Sequence, residues 1–130
     1  MLDNRKELIQ YRLKMAKERL SSSELLLREH SYKDSINRSY YAMFTAVRAL
    51  LAREGQDFSK HTGVISYFQK EYIKTGKFDK KYSKYISQAF QIRNNVDYAD
   101  FFLVSEDDAK EQLEHAMEFL DAIANYLQKT

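Results

Sequence analysis

The segment from residue 36 to residue 51 carries the strongest apolar pattern in the chain. At about 100° per residue, its large apolar side chains share one arc of a helix, about 160° wide. These side chains are Ile36, Tyr40, Met43, Phe44, Val47, Leu50 and Leu51. A helix with so wide an apolar surface contacts several neighbours. The pattern therefore predicts a buried central helix, from about Ser35 to Arg53, inside a helical bundle.

Further helices are predicted from apolar residues at helical spacing and from residues that begin or end helices. The candidate N-terminal caps are Asp3 or Asn4, Ser31 or Asp34, Ser59, Asp79 and Ser105. The first helix is predicted to end near His30, and Gly55 and Gly76 are predicted to end the second and third. The chain is therefore predicted to be all-α, an antiparallel bundle of about five helices forming one domain over residues 1–130.

The composition agrees with long helices joined by short turns, because the chain has no Pro and only three Gly. The absence of Cys excludes disulfides and thiolate metal sites, and the three scattered His form no metal-binding motif. No metal or other cofactor is therefore expected. No apolar segment approaches the roughly 20 residues that span a bilayer, and the N-terminus lacks the apolar region of a signal peptide. These features predict a cytoplasmic protein without a membrane partner.

Charge is unevenly distributed, although the formal net charge is only +2. Residues 69–84 include six Lys, whereas residues 97–121 include nine acidic side chains. These runs are either two solvated helix faces, or a basic edge that meets phosphate, or the two sides of a complementary dimer contact.

Arg93 is the most unusual position in the predicted fourth helix. It projects from the middle of an otherwise apolar stripe that includes Ile86, Ala89 and Val96. An unpaired buried charge is costly, so Arg93 must have a partner or reach solvent. It either forms a salt bridge with Asp97, one turn on, or binds a phosphate or substrate in a cleft.

Three stretches of the chain together resemble the HEPN domain family, specifically its small stand-alone branch. They are Asn37–Phe44 (NRSYYAMF), Lys60–Val64 (KHTGV) and Arg93–Tyr98 (RNNVDY). Their order and spacing extend the resemblance over most of the chain. The resemblance implies an antiparallel helical bundle and a homodimer. It also implies a minimal nucleotidyltransferase as a partner, in a toxin–antitoxin or defence-like pair.

The resemblance also bears on catalysis, because several members of the family are metal-independent ribonucleases. Their motif is an Arg followed, after four to six residues, by a His. Arg93 matches the arginine, but Tyr98 stands where the histidine is expected, and no His follows before His115. A tyrosine with a pKa near 10 is a poor base at neutral pH but can donate a hydrogen bond. The candidate catalytic residues are therefore Arg93 and Tyr98.

The candidate nucleotide- or RNA-binding residues lie on the central and fourth helices. They are Asn37, Arg38, Tyr41, Arg93 and Asp97. Arg38 either contacts phosphate or forms a salt bridge with Asp34, and Tyr41 either stacks a base or packs in the bundle. Core packing is expected for Tyr40. His61 either caps the third helix or lies exposed, which is the expected case, or it titrates near a cleft.

Three functions follow from these residues. The first is a nucleotide- or RNA-binding module that works with a nucleotidyltransferase, with little or no RNA cleavage. The second is a ribonuclease toxin that uses Arg93 with Tyr98 or His61. The third is a structural dimer or adaptor, in which the polar residues only hold the bundle together.

Overall fold

The computed structural model describes residues 2–98 and 102–129. The chain is all-α, and these ranges contain no strand. The helices are α1 (Leu2–Arg28), α2 (Tyr32–Arg53), α3 (His61–Phe68), α4 (Lys80–Tyr98) and α5 (Glu106–Lys129). A π-helical turn, Gln69–Ile73, continues α3. No helix within the described ranges is both long and apolar enough to cross a membrane.

Helix α2 lies at the centre of the bundle and packs against α1, α3, α4 and α5. Its contacts with α1 join Arg12 to Arg48 and Ser23 to Ser39, so the two helices run in opposite directions. Helices α4 and α5 are also antiparallel, because their contacts include Tyr82 with Phe119 and Tyr85 with His115.

The burial of α2 confirms the prediction drawn from its wide apolar arc. Val47 is fully buried, and Phe44 is 8% exposed. Aromatic side chains from the neighbouring elements, among them Phe68, Tyr72 and Phe119, complete the core. Burial of large apolar side chains of this kind contributes roughly 1.5–3 kcal/mol each to folding, before the entropy cost is subtracted.

Helices α1 and α2 are each followed by a residue in the left-handed conformation, and the two helix ends have the same hydrogen-bond pattern. His30, with a φ of 64°, follows α1, and the amide of Ser31 donates to the carbonyl of Leu26. Gly55, with a φ of 69°, follows α2, and the amide of Gln56 donates to the carbonyl of Leu51. Both are Schellman motifs, so the predicted role of Gly55 is correct.

Two of the predicted N-terminal caps are also correct. The Asp108 amide donates to Ser105 Oγ at the start of α5, and the Lys81 amide donates to Asp79 Oδ1 at the start of α4. In α5 the Ser105 amide also donates to Asp108 Oδ2, so Asp108 closes a capping box.

Two other predicted helix starts were wrong, and that of α2 was right in position only. Helix α1 begins at Leu2, before the proposed caps at Asp3 or Asn4. At α3 the cap position is held by Lys60 and not Ser59, and its side chain makes no capping bond. Ser31 holds the cap position of α2, but its hydroxyl donates to Asp34 Oδ2 instead of accepting from the backbone. The predictions failed because a capping residue type marks a helix start only where the incoming chain points its oxygen at the free amides.

Three buried serines form hydrogen bonds between α1 and α2, and we call them the serine cluster (Ser23, Ser35 and Ser39). Ser23 Oγ lies 2.7 Å from Ser39 Oγ and donates to the Ser35 carbonyl at 2.8 Å. Ser35 Oγ donates in return to the Ser23 carbonyl at 2.9 Å. All three side chains are fully buried. Their small size brings the two backbones close together, and their mutual bonds offset the cost of burying hydroxyls.

Candidate functional site

Arg93 projects from α4 over two tyrosines of α2. Its guanidinium carbon lies 5.7 Å from the ring centroid of Tyr40 and 5.2 Å from that of Tyr41. Both distances are in the range of cation–π attraction. This position results from the packing of α4 on α2, which brings Arg93 to Tyr40 and Tyr41. The side chain of Arg93 remains 20% exposed, so the charge reaches solvent at the rim of the core.

Asp97 pairs with Arg93 one helical turn further on. Arg93 Nε lies 3.3 Å from Asp97 Oδ2, within ion-pair distance. The same Nε is buried and has no hydrogen-bond partner among the described residues. The contact is therefore an ion pair whose geometry does not make a hydrogen bond. The pair neutralises part of the charge, and any further acceptor must meet guanidinium nitrogens other than the buried Nε.

His61, the first residue of α3, lies on the same aromatic surface. Its ring stacks on Phe44 with centroids 4.1 Å apart and planes 23° apart. Its Nδ1 is hydrogen-bonded to the hydroxyl of Tyr40 at 2.8 Å. We call Tyr40, Tyr41, Phe44, His61, Phe90 and Arg93 the aromatic–arginine cluster. The stacking and the hydrogen bond together fix the orientation of the His61 ring.

The electrostatics of this cluster favour neutral side chains. Burial lowers the pKa of His61 below its ordinary 6.5, and the nearby cations Arg93 and Arg48 lower it further. Burial also raises the pKa of Tyr40 well above its ordinary 10.0, an effect that Arg93 opposes. At neutral pH His61 is therefore a neutral imidazole and Tyr40 a neutral phenol. The ring nitrogen of His61 that does not bond Tyr40, Nε2, has the chemistry of a proton acceptor or donor.

A groove adjoins the cluster on the other side of His61, and we call it the Arg48 groove. Its lining residues are Phe44, Arg48, Asp57, Phe58, Ser59 and His61. Arg48 donates to Asp57 Oδ2 at 3.1 Å, and Arg12 lies 3.6 Å from the same oxygen. Burial acts to raise the pKa of Asp57, but the Phe58 amide and Arg48 outweigh it and lower that pKa. One ionised carboxylate is therefore shared between two arginines.

The structure brings some of the predicted site residues together and separates others. Tyr41 and Asp97 both contact Arg93. Asn37 is half-buried one turn before Tyr41 on α2, and no contact joins it to Arg93 among the described residues. The side chain of Tyr98 lies outside the described residues, so its proposed catalytic role stays a prediction.

Arg38 does not form the predicted salt bridge, and its predicted phosphate contact stays a prediction. It is exposed on α2, and the part of the chain that the structure describes contains no ion pair between Arg38 and Asp34. The carboxylate of Asp34 accepts from Ser31 instead, at 3.4 Å. The predicted salt bridge was therefore wrong, and Arg38 has no contact with Arg93 in the described ranges.

His61 is the residue whose position the sequence reasoning missed. It was expected to cap α3 or to be exposed, yet it is half-buried between Phe44 and Tyr40. The sequence did contain a signal, because His61 stands in one of the stretches that resemble the HEPN family, and Tyr40 and Tyr41 stand in another. No group of three metal-ligating side chains occurs among the described residues.

Comparison with known proteins gives the family. The HEPN domain model matches residues 9–126. A "UPF0332 protein" of Thermotoga maritima is 35% identical, over 98% of this chain and 96% of that protein. Two proteins of Methanocaldococcus jannaschii are also similar. "Putative toxin MJ0142" is 33% identical over 88% of this chain and 78% of its own length. "Putative toxin MJ0605" is 30% identical over 95% of this chain and 92% of its own length. The chain therefore belongs to the HEPN domain family.

Proposed function

We propose that this protein is an RNA-binding HEPN module of a toxin–antitoxin or defence-like pair, and that Arg93 and Tyr41 hold the RNA. The observation that carries the proposal is the placement of Arg93. Its side chain is 20% exposed, lies over two tyrosine rings and forms one ion pair, with Asp97, among the described residues. The toxin names of two relatives support the setting.

The chemistry of the site fits a single-stranded nucleic acid. An arginine binds phosphate through paired, charge-assisted hydrogen bonds. A partly exposed tyrosine offers a ring on which any base stacks, at about 1–3 kcal/mol per base. Tyr41 is half-buried and lies beside Arg93, so one nucleotide can place its phosphate on the guanidinium and its base against the ring. Double-stranded RNA hides its bases and would use only the charge.

The test is fluorescence anisotropy with a labelled, 2′-O-methylated hexauridylate, which resists cleavage at the 2′-hydroxyl. Arg93→Ala is expected to weaken binding about tenfold, the cost of one charge-assisted contact. Arg93→Lys keeps the charge but not the fork, and is expected to fall between the wild type and Arg93→Ala. Arg28→Gln removes an exposed arginine of α1 as a matched control. Equal affinity for wild type and Arg93→Ala would refute the proposal.

A minimal nucleotidyltransferase and a second copy of this chain are the proposed protein partners. The family resemblance and the uneven charge of residues 69–84 and 97–121 support both. A two-fold contact would bring identical surfaces together and give the dimer two RNA sites. Sedimentation at about 10–50 µM, where an interface of ordinary size holds, tests the dimer. Co-purification with a co-expressed nucleotidyltransferase tests the other partner.

A second candidate function, ribonuclease activity, is favoured by the position of His61. Its ring is fixed by Tyr40 and Phe44, and its lowered pKa keeps it neutral, as a base at neutral pH must be. Neutral His61 would accept the proton of an RNA 2′-hydroxyl, whose oxygen attacks the adjacent phosphorus. The bond from phosphorus to the 5′-oxygen would then break, leaving a 2′,3′-cyclic phosphate and a 5′-hydroxyl that takes a proton from water. Arg93 would stabilise the charge on the phosphate.

Cleavage of unmodified RNA by highly purified protein separates the two functions. A binding module leaves the RNA intact. A ribonuclease of this kind loses activity in His61→Gln and in Arg93→Ala, whereas Arg28→Gln retains it. Cleavage that persists in both site variants would come from a contaminant or from another site.

A further inference from the structure

The Arg48 groove repeats the chemistry of the Arg93 site on the other side of His61. Arg48 corresponds to Arg93 as a half-buried cation on the bundle surface. Phe58 corresponds to Tyr41 as an aromatic ring that solvent reaches, with 39% of its surface exposed. The groove therefore pairs a phosphate-binding group with a base-stacking ring, which are the two elements of single-strand recognition.

The geometry of α2 sets the spacing of the two sites. Tyr41 and Arg48 are seven residues apart, so they lie on nearly the same face and about 10 Å apart along the helix axis. Phe44 lies between them in the sequence, and its ring stacks on that of His61. His61 lines the groove together with Arg48, and its ring also contacts that of Tyr41, over which Arg93 lies. These contacts connect the groove to the Arg93 site.

Phe58 is held in place by its neighbours. Its ring centroid lies 5.5 Å from that of Tyr67 on α3. Gly63 leaves it the necessary room, because a Cβ at that position would stand 3.1 Å from Phe58 Cβ. An exposed aromatic ring that is fixed in this way loses little entropy when a base stacks on it.

The charges of the groove leave capacity for an anion. Arg48 and Arg12 share the single carboxylate of Asp57, so the three groups carry one net positive charge. The buried Nε of Arg48 has no hydrogen-bond partner among the described residues. Since that atom is buried, a phosphate in the groove would bind the terminal guanidinium nitrogens of Arg48, in competition with Asp57.

We infer that Arg48 and Phe58 form a second nucleotide subsite, so that the ligand is an oligonucleotide lying across His61 and not a mononucleotide. This inference rests on the proposed function, because it extends the RNA-binding site of Arg93. One strand places successive phosphates on Arg93 and Arg48 and stacks bases on Tyr41 and Phe58. The backbone between these contacts passes Nε2 of His61.

The test compares two ligands, UpU and the 2′-O-methylated hexauridylate. UpU carries one phosphate and fills one subsite, whereas the hexamer spans both. The Arg48→Gln variant is expected to reduce the affinity advantage of the hexamer over UpU about tenfold. The salt dependence of hexamer binding is expected to fall by about 0.7 in log–log slope, the value for one phosphate of a single strand. Phe58→Ala is expected to reduce the same advantage without changing the slope.

Asp57→Asn separates binding from folding. An amide retains the bond from the Phe58 backbone but removes the negative charge next to Arg48. A phosphate subsite predicts tighter hexamer binding by this variant. If Arg48 and Asp57 only anchor the connector, Asp57→Asn destabilises the fold and leaves affinity unchanged or weaker, and the inference fails.

The outcomes also distinguish this inference from the proposal on which it rests. Arg93→Ala with unchanged affinity for both ligands refutes the RNA-binding function itself. Arg93→Ala with weakened binding, together with an unchanged hexamer advantage in Arg48→Gln, refutes only the second subsite. The Arg28→Gln control shows whether loss of any one arginine charge has the same effect.

Discussion

The serine cluster and the aromatic–arginine cluster both include residues of α2, and they meet at the adjacent residues Ser39 and Tyr40. Ser39 faces α1 and Tyr40 faces α3 and α4. In the serine cluster every hydroxyl is bonded and fully buried. In the aromatic–arginine cluster a charged group reaches solvent, and one buried donor of Arg93 lacks a hydrogen bond among the described residues.

This difference distinguishes polar groups that stabilise a fold from polar groups that are available to a ligand. Satisfied and buried hydroxyls have no capacity left, so the serine cluster can only hold α1 and α2 together. The aromatic–arginine cluster instead keeps a charged side chain partly at the surface. A charge that solvent reaches is available to a ligand, whereas the buried hydroxyls of the serine cluster are not.

Phe44→Ala is expected to produce the largest loss of stability, about 3–5 kcal/mol, because it empties a large site in the core. Phe44 also stacks on the ring of His61, so this variant alters the candidate site as well as the core. Urea denaturation measures the change. Phe58→Ala serves as the control because its ring is 39% exposed, and it should cost much less. Similar losses in the two variants would contradict the assignment of Phe44 to the core.

Ser23→Ala is expected to cost about 1–3 kcal/mol, because it leaves the buried Ser39 hydroxyl without its bond to Ser23 and removes the bond from Ser23 to the Ser35 carbonyl. Hexauridylate affinity should not change, since among the described residues the serine cluster shares no hydrogen bond with Arg93, Tyr41 or His61. Ser21→Ala, an exposed serine of the same helix, is the control and should stay within about 0.5 kcal/mol of the wild type. A loss of RNA affinity in Ser23→Ala at temperatures where it is folded would abolish the distinction between the two clusters.

Arg93→Ala is expected to show the reverse pattern. Its ion pair with Asp97 and its contacts with the two tyrosines contribute about 1 kcal/mol or less at a partly exposed site. Stability should therefore change less than in Ser23→Ala, whereas RNA affinity falls about tenfold. Denaturation and anisotropy on the same preparations provide both values. A loss of several kcal/mol with unchanged affinity would make Arg93 a structural residue.

The helices could be predicted from the sequence because their signals are local. The apolar arc of α2 and the capping box at Ser105 each lie within one element. The aromatic–arginine cluster is different, because the bond between Tyr40 and His61 joins residues 21 positions apart. Arg93 meets Tyr40 and Tyr41 only after α4 has packed on α2.

Candidate residue types could therefore be chosen from the sequence, but their grouping depended on tertiary packing. Arg93 and Tyr41 were chosen from their patterns, and the structure places them side by side. Arg38 was chosen from its position on the same helix, and it faces solvent without a contact to Arg93 in the described ranges. The pattern of one helix cannot show which turn of that helix its neighbour will cover.

The smallest expected effect is a dependence of stability on pH that arises from His61. Its folded pKa is lowered by burial and by Arg93 and Arg48, so below pH 6.5 the unfolded chain binds this proton more readily than the folded chain. His61 therefore lowers stability as pH falls from 6.5 through the folded pKa. The groups facing it are Tyr40 and Tyr41 from α2, Arg48 and Arg93, and Asp57 across the groove. Thermal unfolding between pH 7.5 and 5 should show a shallower decline of stability in His61→Gln than in the wild type.

The same shift predicts a pH dependence of RNA binding. Bound phosphate opposes the effect of the arginines on the pKa of His61, so hexauridylate should bind the wild type more tightly at pH 5.5 than at 7.5, with a smaller change in His61→Gln. Identical pH profiles for the two proteins would place His61 outside the field of both arginines.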